Sequence, residues 1–281
     1  MPFMAEMLTN KKKHPAPDPE KEMSFWDHLD ALRGHVFRSA IAIVAMGILA
    51  FANREIIFDQ IILAPKSSEF ITNQLLCRLG DLLNVPSLCL GDMELNIINI
   101  NISGQFTTHI YISFFAGMVV AAPYVIWEIW RFIKPALYET ERKHSSGAVW
   151  SMSLLFILGV LFSYYLIVPL TLSFFGSYQV SNSISNQISL ASYISTVVSV
   201  TFSLGVVFEL PVFVYFLTKV GIITPEFLKR NRKYTLVILL IIAAVITPPD
   251  IVSQILVTIP LYGLYELSIL VSQRIAKRNK V

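Results

Sequence analysis

Hydrophobic residues occur in six long runs along the chain, separated by polar segments. The runs cover residues 36–52, 106–130, 148–170, 191–218, 234–248 and 252–271. Most of them approach the ~20 residues that a helix needs to cross a hydrocarbon core of ~30 Å. The fifth run is short, because Lys233 and Asp250 bracket only 16 residues. The pattern predicts an all-α, polytopic membrane protein with six transmembrane helices.

Basic residues lie in alternate connections between these runs, which predicts how the chain is oriented. Nineteen of the 22 Lys and Arg residues fall in the amino-terminal segment, the second-to-third and fourth-to-fifth connections, and the carboxyl tail. The other three are Arg54, Lys66 and Arg78 in the first-to-second connection. Because Lys- and Arg-rich connections remain on the cytoplasmic side, we predict that both termini are cytoplasmic. Residues 53–105 would then form a long exoplasmic loop.

The overall composition agrees with a membrane protein. Hydrophobic residues make up 54% of the chain and charged residues 15%, with a mean hydropathy of +0.61. In a soluble domain, roughly a quarter of the residues are charged. Residues 1–23 are rich in Pro and charge and lack the apolar stretch of a signal peptide, so we predict a disordered cytoplasmic tail. Residues 24–275 would form the membrane domain, and residues 276–281 a second cytoplasmic tail.

The predicted exoplasmic loop contains two local patterns and both cysteines. The stretch EIIFDQIILAP predicts a short amphipathic helix ending before Pro65, and the alternation near residues 96–103 indicates an extended segment. Cys77 and Cys89 can pair in an oxidising compartment, which would contribute roughly 3 kcal/mol, or remain two free thiols. No His lies between them, which argues against a metal site.

The motifs of several enzyme classes are missing from the sequence. It contains no P-loop, no Gly-rich nucleotide fingerprint and no HExxH, and its five His are scattered over different segments. We therefore predict a protein that is not an enzyme, has no cofactor and does not bind nucleic acid. The classes that remain are a channel or transporter, and a receptor or scaffold for other membrane proteins.

Four carboxylates lie within or beside the hydrophobic runs. They are Glu128, Glu209, Asp250 and Glu266. A charge at the centre of a membrane costs roughly 2.5–3.5 kcal/mol, so each of these residues needs a partner or a polar surrounding. For Glu266 we predict a bond to a neighbouring helix.

Glu209 is the most deeply placed of these carboxylates. It lies about 15 Å along a helix from Lys219, close to the bilayer midplane. Pro211 removes a backbone donor and should bend or loosen the helix beside it. Two interpretations follow: a protonated Glu bonded to a neighbouring helix, or a polar site facing a groove. Glu209 could also serve as the proton site of an ion-coupled small-molecule transporter, which is the alternative function.

The turn before the last run carries a second polar pair. Asp250 and Gln254 are four residues apart and would share one helix face. Asp250 can also cap the sixth helix by accepting bonds from its free N–H groups.

Two polar segments flank the membrane runs. WRFIKPALYETERKH places Glu139 and Glu141 among basic residues, as either a solvated loop or a docking surface for a basic peptide. FWDHLDALRGH, before the first run, predicts a helix with Asp30 on one side and Arg33 on another. This helix could instead be an interfacial anchor.

Five motifs, in this order, resemble the TatC family, the receptor core of the twin-arginine protein translocase. They are FWDHLDALR, APYVIWEIWRFIKPALYETERK, GVVFELPV, GIITPEFLKRNRKY and ITPPDIVSQ. The resemblance covers about residues 24–275. It implies a concave, glove-like bundle of six helices in the bacterial cytoplasmic (inner) membrane.

The resemblance also implies a function and partners. Members bind twin-arginine signal peptides and pass folded proteins across the membrane with TatA/TatB-like single-span subunits, driven by the proton gradient; self-association in the bilayer is also expected. By similarity, Phe132 and Glu141 belong to the signal-recognition surface, and Glu209 is the buried glutamate of the concave face. Thr247, Asp250 and Gln254 are implied to lie where partner helices pack. Pro65 matches a first-loop proline.

The sequence departs from the family pattern at its amino end. The family motif usually reads H-L-x-E-L-R, whereas here Ala31 stands at the Glu position and Asp30 lies one place earlier. Asp30 and Arg33 are therefore candidate contacts to a signal peptide, with Glu141 as the residue that would carry most of the arginine recognition. The Cys77–Cys89 pair is not part of the family pattern.

Overall fold

The fold is mostly helical, as the hydrophobic pattern predicts. A computed structural model of the chain describes residues 25–67, 69–83, 95–134, 145–181, 186–247 and 251–278. The α-helices within these ranges are α1 (Phe25–Ala52), α2 (Ile71–Leu83), α3 (Gly104–Ile133), α4 (Ser145–Phe162), α5 (Val168–Ser177), α6 (Leu190–Val207), α7 (Leu210–Lys219), α8 (Pro225–Arg230), α9 (Arg232–Ile246) and α10 (Ile251–Arg278). Two three-residue strands, β1 (Asn96–Ile98) and β2 (Gln187–Ser189), accompany them.

Five helical stretches in the described residues are long and apolar enough to cross a membrane. They are Asp30–Ala52, Gly104–Ile133, Gly147–Ser177, Leu190–Lys219 and Ser253–Lys277. The sixth predicted crossing corresponds to α9, which has 15 residues. At 1.5 Å per residue α9 is about 22 Å long, shorter than a hydrocarbon core of ~30 Å. The chain is thus a multi-pass membrane protein, while the count of six crossings stays a prediction.

A close crossing of two glycines brings α1 against α3. A Cβ added to Gly117 would lie 2.6 Å from the backbone nitrogen of Gly47 and 2.7 Å from the carbonyl oxygen of Ile43. Small residues at such a crossing let two membrane helices approach closely, which increases their van der Waals contact. This contact fixes the position of α1, which otherwise buries little of its surface.

The segment between α1 and α3 is more ordered than the predicted loop. The expected short helix is present as a π-helical stretch, Ile56–Ile62, which ends before Pro65 as predicted, and Pro65 lies in a following 3₁₀ turn, Ala64–Lys66. The α-helix α2 follows and was not predicted. Tyr193 of α6 donates a 2.8 Å bond to the carbonyl of Ile62, and Tyr164 donates a 2.7 Å bond to that of Ile61. These two bonds hold the segment against the helical core.

The predicted extended segment near residues 96–103 is confirmed only over Asn96–Ile98. This strand pairs in parallel with Gln187–Ser189, so that Ile97 lies opposite Ile188. The two strands come from connections far apart in the chain, and α6 begins directly after β2. The pairing joins the ends of α3 and α6 on the same side of the bundle.

Apolar side chains of α6, α9 and α10 form much of the core. Fully buried examples are Ile194, Leu204, Leu239, Val257 and Leu261. A buried hydroxyl also links α7 to α10: the Thr218 hydroxyl donates a 2.9 Å bond to Ser272. Such bonds satisfy polar groups that would otherwise be unpaired in an apolar interior.

Candidate functional site

The predicted signal-recognition residues fall at the start of α1 and the end of α3. Asp30 and Arg33 are exposed in the first turns of α1. Phe132 lies one residue before the end of α3, and its ring centroid is 6.0 Å from that of His35 in α1, in an edge-to-face arrangement. Glu141 lies outside the described residues. The structure therefore brings α1 next to Phe132 but does not test a contact with Glu141.

A buried ion cluster joins α1 to α3 just below this region. Glu128, only 1% exposed, accepts a 2.5 Å bond from Nδ1 of His35. Its two oxygens also accept bonds from Arg38, at 3.0 Å from Nε and 3.2 Å from Nη2. The hydroxyl of Tyr124, one turn earlier in α3, donates a further 3.0 Å bond. Four donor contacts thus converge on one intramembrane carboxylate.

The cluster explains why a carboxylate is tolerated at this position. Charged hydrogen bonds are stronger than neutral ones, and the guanidinium of Arg38 contacts both oxygens of Glu128. Sequence reasoning singled out Glu128 but missed its partners His35 and Arg38. The sequence did contain a signal for these partners. His35 and Arg38 are both basic and lie three residues apart on one face of α1, and a carboxylate within a membrane requires a basic or hydrogen-bonding partner.

Glu209 lies at a break between two helices. Phe208 and Glu209 form a turn, α7 starts at Leu210, and Pro211 follows in its first turn. The predicted interruption of the helix by Pro211 is therefore confirmed. Because Pro has no N–H, it cannot donate to the carbonyl four residues earlier, which leaves a polar backbone group near the side chain.

The Glu209 carboxylate lies in a buried position. Neither oxygen has a partner at the distance and angle of a normal hydrogen bond among the described residues. The backbone of Phe156 in the neighbouring helix α4 is the polar group that acts on it. Both interpretations made from the sequence, a protonated Glu bonded to a neighbouring helix and a polar site facing a groove, therefore stay predictions.

Thr247 and Gln254 lie together at one end of the α9–α10 hairpin. The Thr247 hydroxyl is buried and donates a 2.8 Å bond to the carbonyl of Ala243. The Gln254 amide donates a 3.0 Å bond to the carbonyl of Leu240, and so connects α10 to α9. Asp250, the remaining residue of this predicted group, lies outside the described residues. Glu209 occupies a different helix break, in the α6–α7 span.

Two other predictions concern individual pairs. The interhelical bond expected for Glu266 is confirmed, since Nη2 of Arg232 in α9 donates to it at 2.7 Å. Cys77, on α2, is disulfide-bonded. Cys89 lies outside the described residues, so the pairing of these two cysteines stays a prediction. No group of three or more candidate metal ligands occurs among the residues that the structure describes.

Comparison with known sequences identifies the family. The family model of Sec-independent protein translocase protein (TatC) matches residues 27–260. The TatC protein of Blattabacterium sp. subsp. Periplaneta americana is 40% identical over 262 residues, which cover 92% of this chain and 98% of that protein. The TatC protein of Carboxydothermus hydrogenoformans is 33% identical over 261 residues, covering 92% and 97%.

Solved structures agree with this result. The crystal structure of the twin-arginine translocase receptor TatC matches with a TM-score of 0.65 and 32% identity, covering 89% of this chain and 99% of that one. A second crystal structure of that receptor, in DDM, matches with a TM-score of 0.69, also at 32% identity. On both sequence and fold, the chain belongs to the TatC family of Sec-independent protein translocase proteins.

Proposed function

We propose that this chain is the receptor subunit of a twin-arginine translocase, which binds twin-arginine signal peptides and exports folded proteins using the proton gradient. The observation that carries the proposal is the match to the TatC family over residues 27–260. The solved relative is itself a twin-arginine translocase receptor. As a translocase component, the chain is a membrane protein of a non-enzymatic family.

The cytoplasmic recognition surface would consist of Asp30, Arg33, Phe132 and Glu141. The Glu128 cluster supports this grouping, because it holds the amino-terminal part of α1 beside the end of α3, where Phe132 lies. A carboxylate suits a diarginine ligand, since a planar guanidinium binds carboxylate oxygens in pairs. With Ala31 at the position of the usual Glu, Glu141 would provide most of the charge.

Replacement of Glu141 tests the recognition role. We expect Glu141→Ala to abolish export of a folded reporter carrying a twin-arginine signal, and to remove photo-crosslinks between that signal and a probe placed near position 141. Glu139→Ala, a neighbouring acid in the same connection, is the matched control and should keep most export. Normal export by Glu141→Ala at equal protein levels would contradict the role.

The predicted six crossings and cytoplasmic termini belong to the same proposal. They require α9 to cross the membrane although it is only 15 residues long, with the basic residues Arg232 and Lys233 at its start. A thinner local bilayer or interfacial snorkelling by these residues makes this feasible. Single cysteines introduced near residues 233 and 248 should react with a membrane-impermeant reagent from opposite sides. Reaction from the same side would refute six crossings.

Partner subunits are needed because six helices are too few to enclose a path for a folded protein. We expect TatA/TatB-like single-span subunits to pack near Thr247, Gln254 and Glu209, where polar groups lie within or beside the membrane spans. Copurification from membranes in mild detergent should recover small single-span proteins with this chain. Proton-coupled solute uptake by the purified chain alone would instead favour the transporter alternative, which the family match disfavours.

A further inference from the structure

A cleft opens between the end of α3 and the start of α4 that the proposed function does not use. Its volume is about 640 Å³. The described residues that line it are Pro123, Trp127, Trp130, Arg131, Lys134, Val149, Trp150, Ser153, Leu154 and Ile157. These residues divide into a basic and aromatic rim and an apolar lower wall.

Two cations form the rim of the cleft. Arg131 lies in the last turn of α3, which ends at Ile133, and Lys134 is the C-cap residue of that helix. The guanidinium carbon of Arg131 lies 5.3 Å from the centre of the Trp127 ring, a cation–π contact that leaves its N–H groups available. Among the described residues, no carboxylate forms a salt bridge with either cation. Within the described residues, these two cations give the rim a positive charge, which favours an anion.

Trp130 provides a second and independent sign of a ligand. Its side chain lines the cleft and is only 5% exposed, yet the indole N–H has no hydrogen-bond partner among the described residues. A buried donor without a partner costs free energy, and Trp N–H groups nearly always find an acceptor. Because the N–H itself is shielded from solvent, an oxygen of a bound molecule in the cleft would satisfy it once the indole ring turns toward the cleft.

The lower wall extends from the rim into the hydrocarbon region. Pro123 lies eight residues before Arg131 on α3, and Ile157 lies seven residues after Trp150 on α4. At 1.5 Å per residue both distances are about 10–12 Å, enough for the upper part of an acyl chain. Leu154 and Ile157 are 46% and 40% exposed, so this wall offers an apolar surface toward the membrane.

The geometry points to a binding site for an anionic diacyl glycerophospholipid. The phosphodiester lies against Arg131 and Lys134, where the Trp130 indole turns to donate to it, and the acyl chains follow the wall of Leu154 and Ile157. Basic pockets between membrane helices are known to hold anionic headgroups. A basic peptide is excluded by the charge of the rim, and free phosphate would leave the apolar wall unused.

Native mass spectrometry of the full chain, delipidated in detergent and titrated with phosphatidylglycerol, tests the site. We expect one tightly retained phosphatidylglycerol, with phosphatidylcholine retained at least tenfold more weakly. Each basic residue near a membrane surface contributes roughly fivefold to the binding of an anionic lipid. The double variant Arg131→Gln/Lys134→Gln should therefore bind about 25-fold more weakly.

Two matched controls separate the site from general effects. Lys229→Gln/Arg230→Gln removes two exposed charges from α8 and should leave the retained lipid unchanged. Trp150 and Tyr234 are both 71% exposed, so Trp150→Ala should weaken retention severalfold while Tyr234→Ala should not. Thermal unfolding without lipid should be the same for the two charge variants, which shows that both fold.

Three results would overturn the inference. The first is equal retention of phosphatidylglycerol and phosphatidylcholine. The second is equal loss in the α8 control variant, which would indicate only general surface charge. The third is displacement of the lipid by millimolar inorganic phosphate, which would indicate an anion site without a role for the acyl chains.

Discussion

The Glu128 cluster gives the sharpest test of how this membrane domain is stabilised. We consider Arg38→Met, which keeps most of the apolar stem but removes the cation. Glu128 is only 1% exposed, so it would remain as a buried charge without its two contacts to the guanidinium. Removing one partner of a buried pair costs about 3–5 kcal/mol.

The lower end of this range applies here, for two structural reasons. Arg38 is itself 46% exposed, so its attraction to Glu128 is partly screened by the surroundings. His35 and Tyr124 also continue to donate to Glu128 in the variant. We therefore expect a loss of about 3 kcal/mol, which corresponds to a fall of roughly 6–12 °C in Tm for a domain of this size.

A double-mutant cycle isolates the pair. Glu128→Met removes the buried charge, and the double variant Arg38→Met/Glu128→Met replaces the pair with apolar side chains, which is often close to neutral. The coupling should be about 1–3 kcal/mol in unfolding by SDS or heat. The Arg232–Glu266 pair, with side chains 46% and 34% exposed, is the matched control and should couple by less than about 1 kcal/mol.

Additive effects of Arg38→Met and Glu128→Met would refute this reasoning. Such a result would mean that Glu128 is buried for reasons unrelated to Arg38, and that the contacts between the two side chains contribute no net free energy. Equal coupling in the two cycles would refute the role of burial.

Three further predictions concern other positions. Gly117→Val should destabilise the fold by about 1–3 kcal/mol, because the new side chain meets backbone atoms of α1. The control is Gly263→Ala, whose added Cβ has no atom of a neighbouring element within 4 Å. It should be neutral or slightly stabilising in the same unfolding assay. Tyr193→Phe should cost about 1–3 kcal/mol by leaving the carbonyl of Ile62 unpaired, and unchanged stability would contradict it. Export of a folded reporter should be reduced less by Glu209→Gln than by Glu209→Leu, since Gln keeps a hydrogen-bonding group; equal loss would indicate an obligatory charge.

Several features were predictable from the sequence because they depend on local pattern. The long apolar runs predicted the helices that form α1, α3, α4, α6 with α7, and α10. Pro211 predicted the break beside Glu209, because its missing N–H removes a hydrogen bond to a carbonyl only four residues earlier. The shortness of α9 is also a local property of the sequence, because its apolar run lies between Lys233 and Asp250.

The partners of the polar residues were not predictable in this way. Arg38 and Glu128 are separated by 90 positions, and the paired residues of β1 and β2 by 91, so no local period connects them. The approach of α1 to α3 at Gly47 and Gly117 decides that Glu128 meets His35 and Arg38. Likewise, only packing reveals that the Trp130 indole N–H has no hydrogen-bond partner among the residues that the structure describes.

The sequence by itself determined the class of protein, its long apolar helices and, through five ordered motifs, its family. These follow from hydrophobic length and from residue identities, which need no knowledge of contacts. The tertiary structure alone decided which polar groups have hydrogen-bond or ion-pair partners, because these contacts depend on the distance between helices. It pairs Glu128 and Glu266 with basic residues on other helices, and among the described residues it leaves the Trp130 indole N–H without a hydrogen-bond partner.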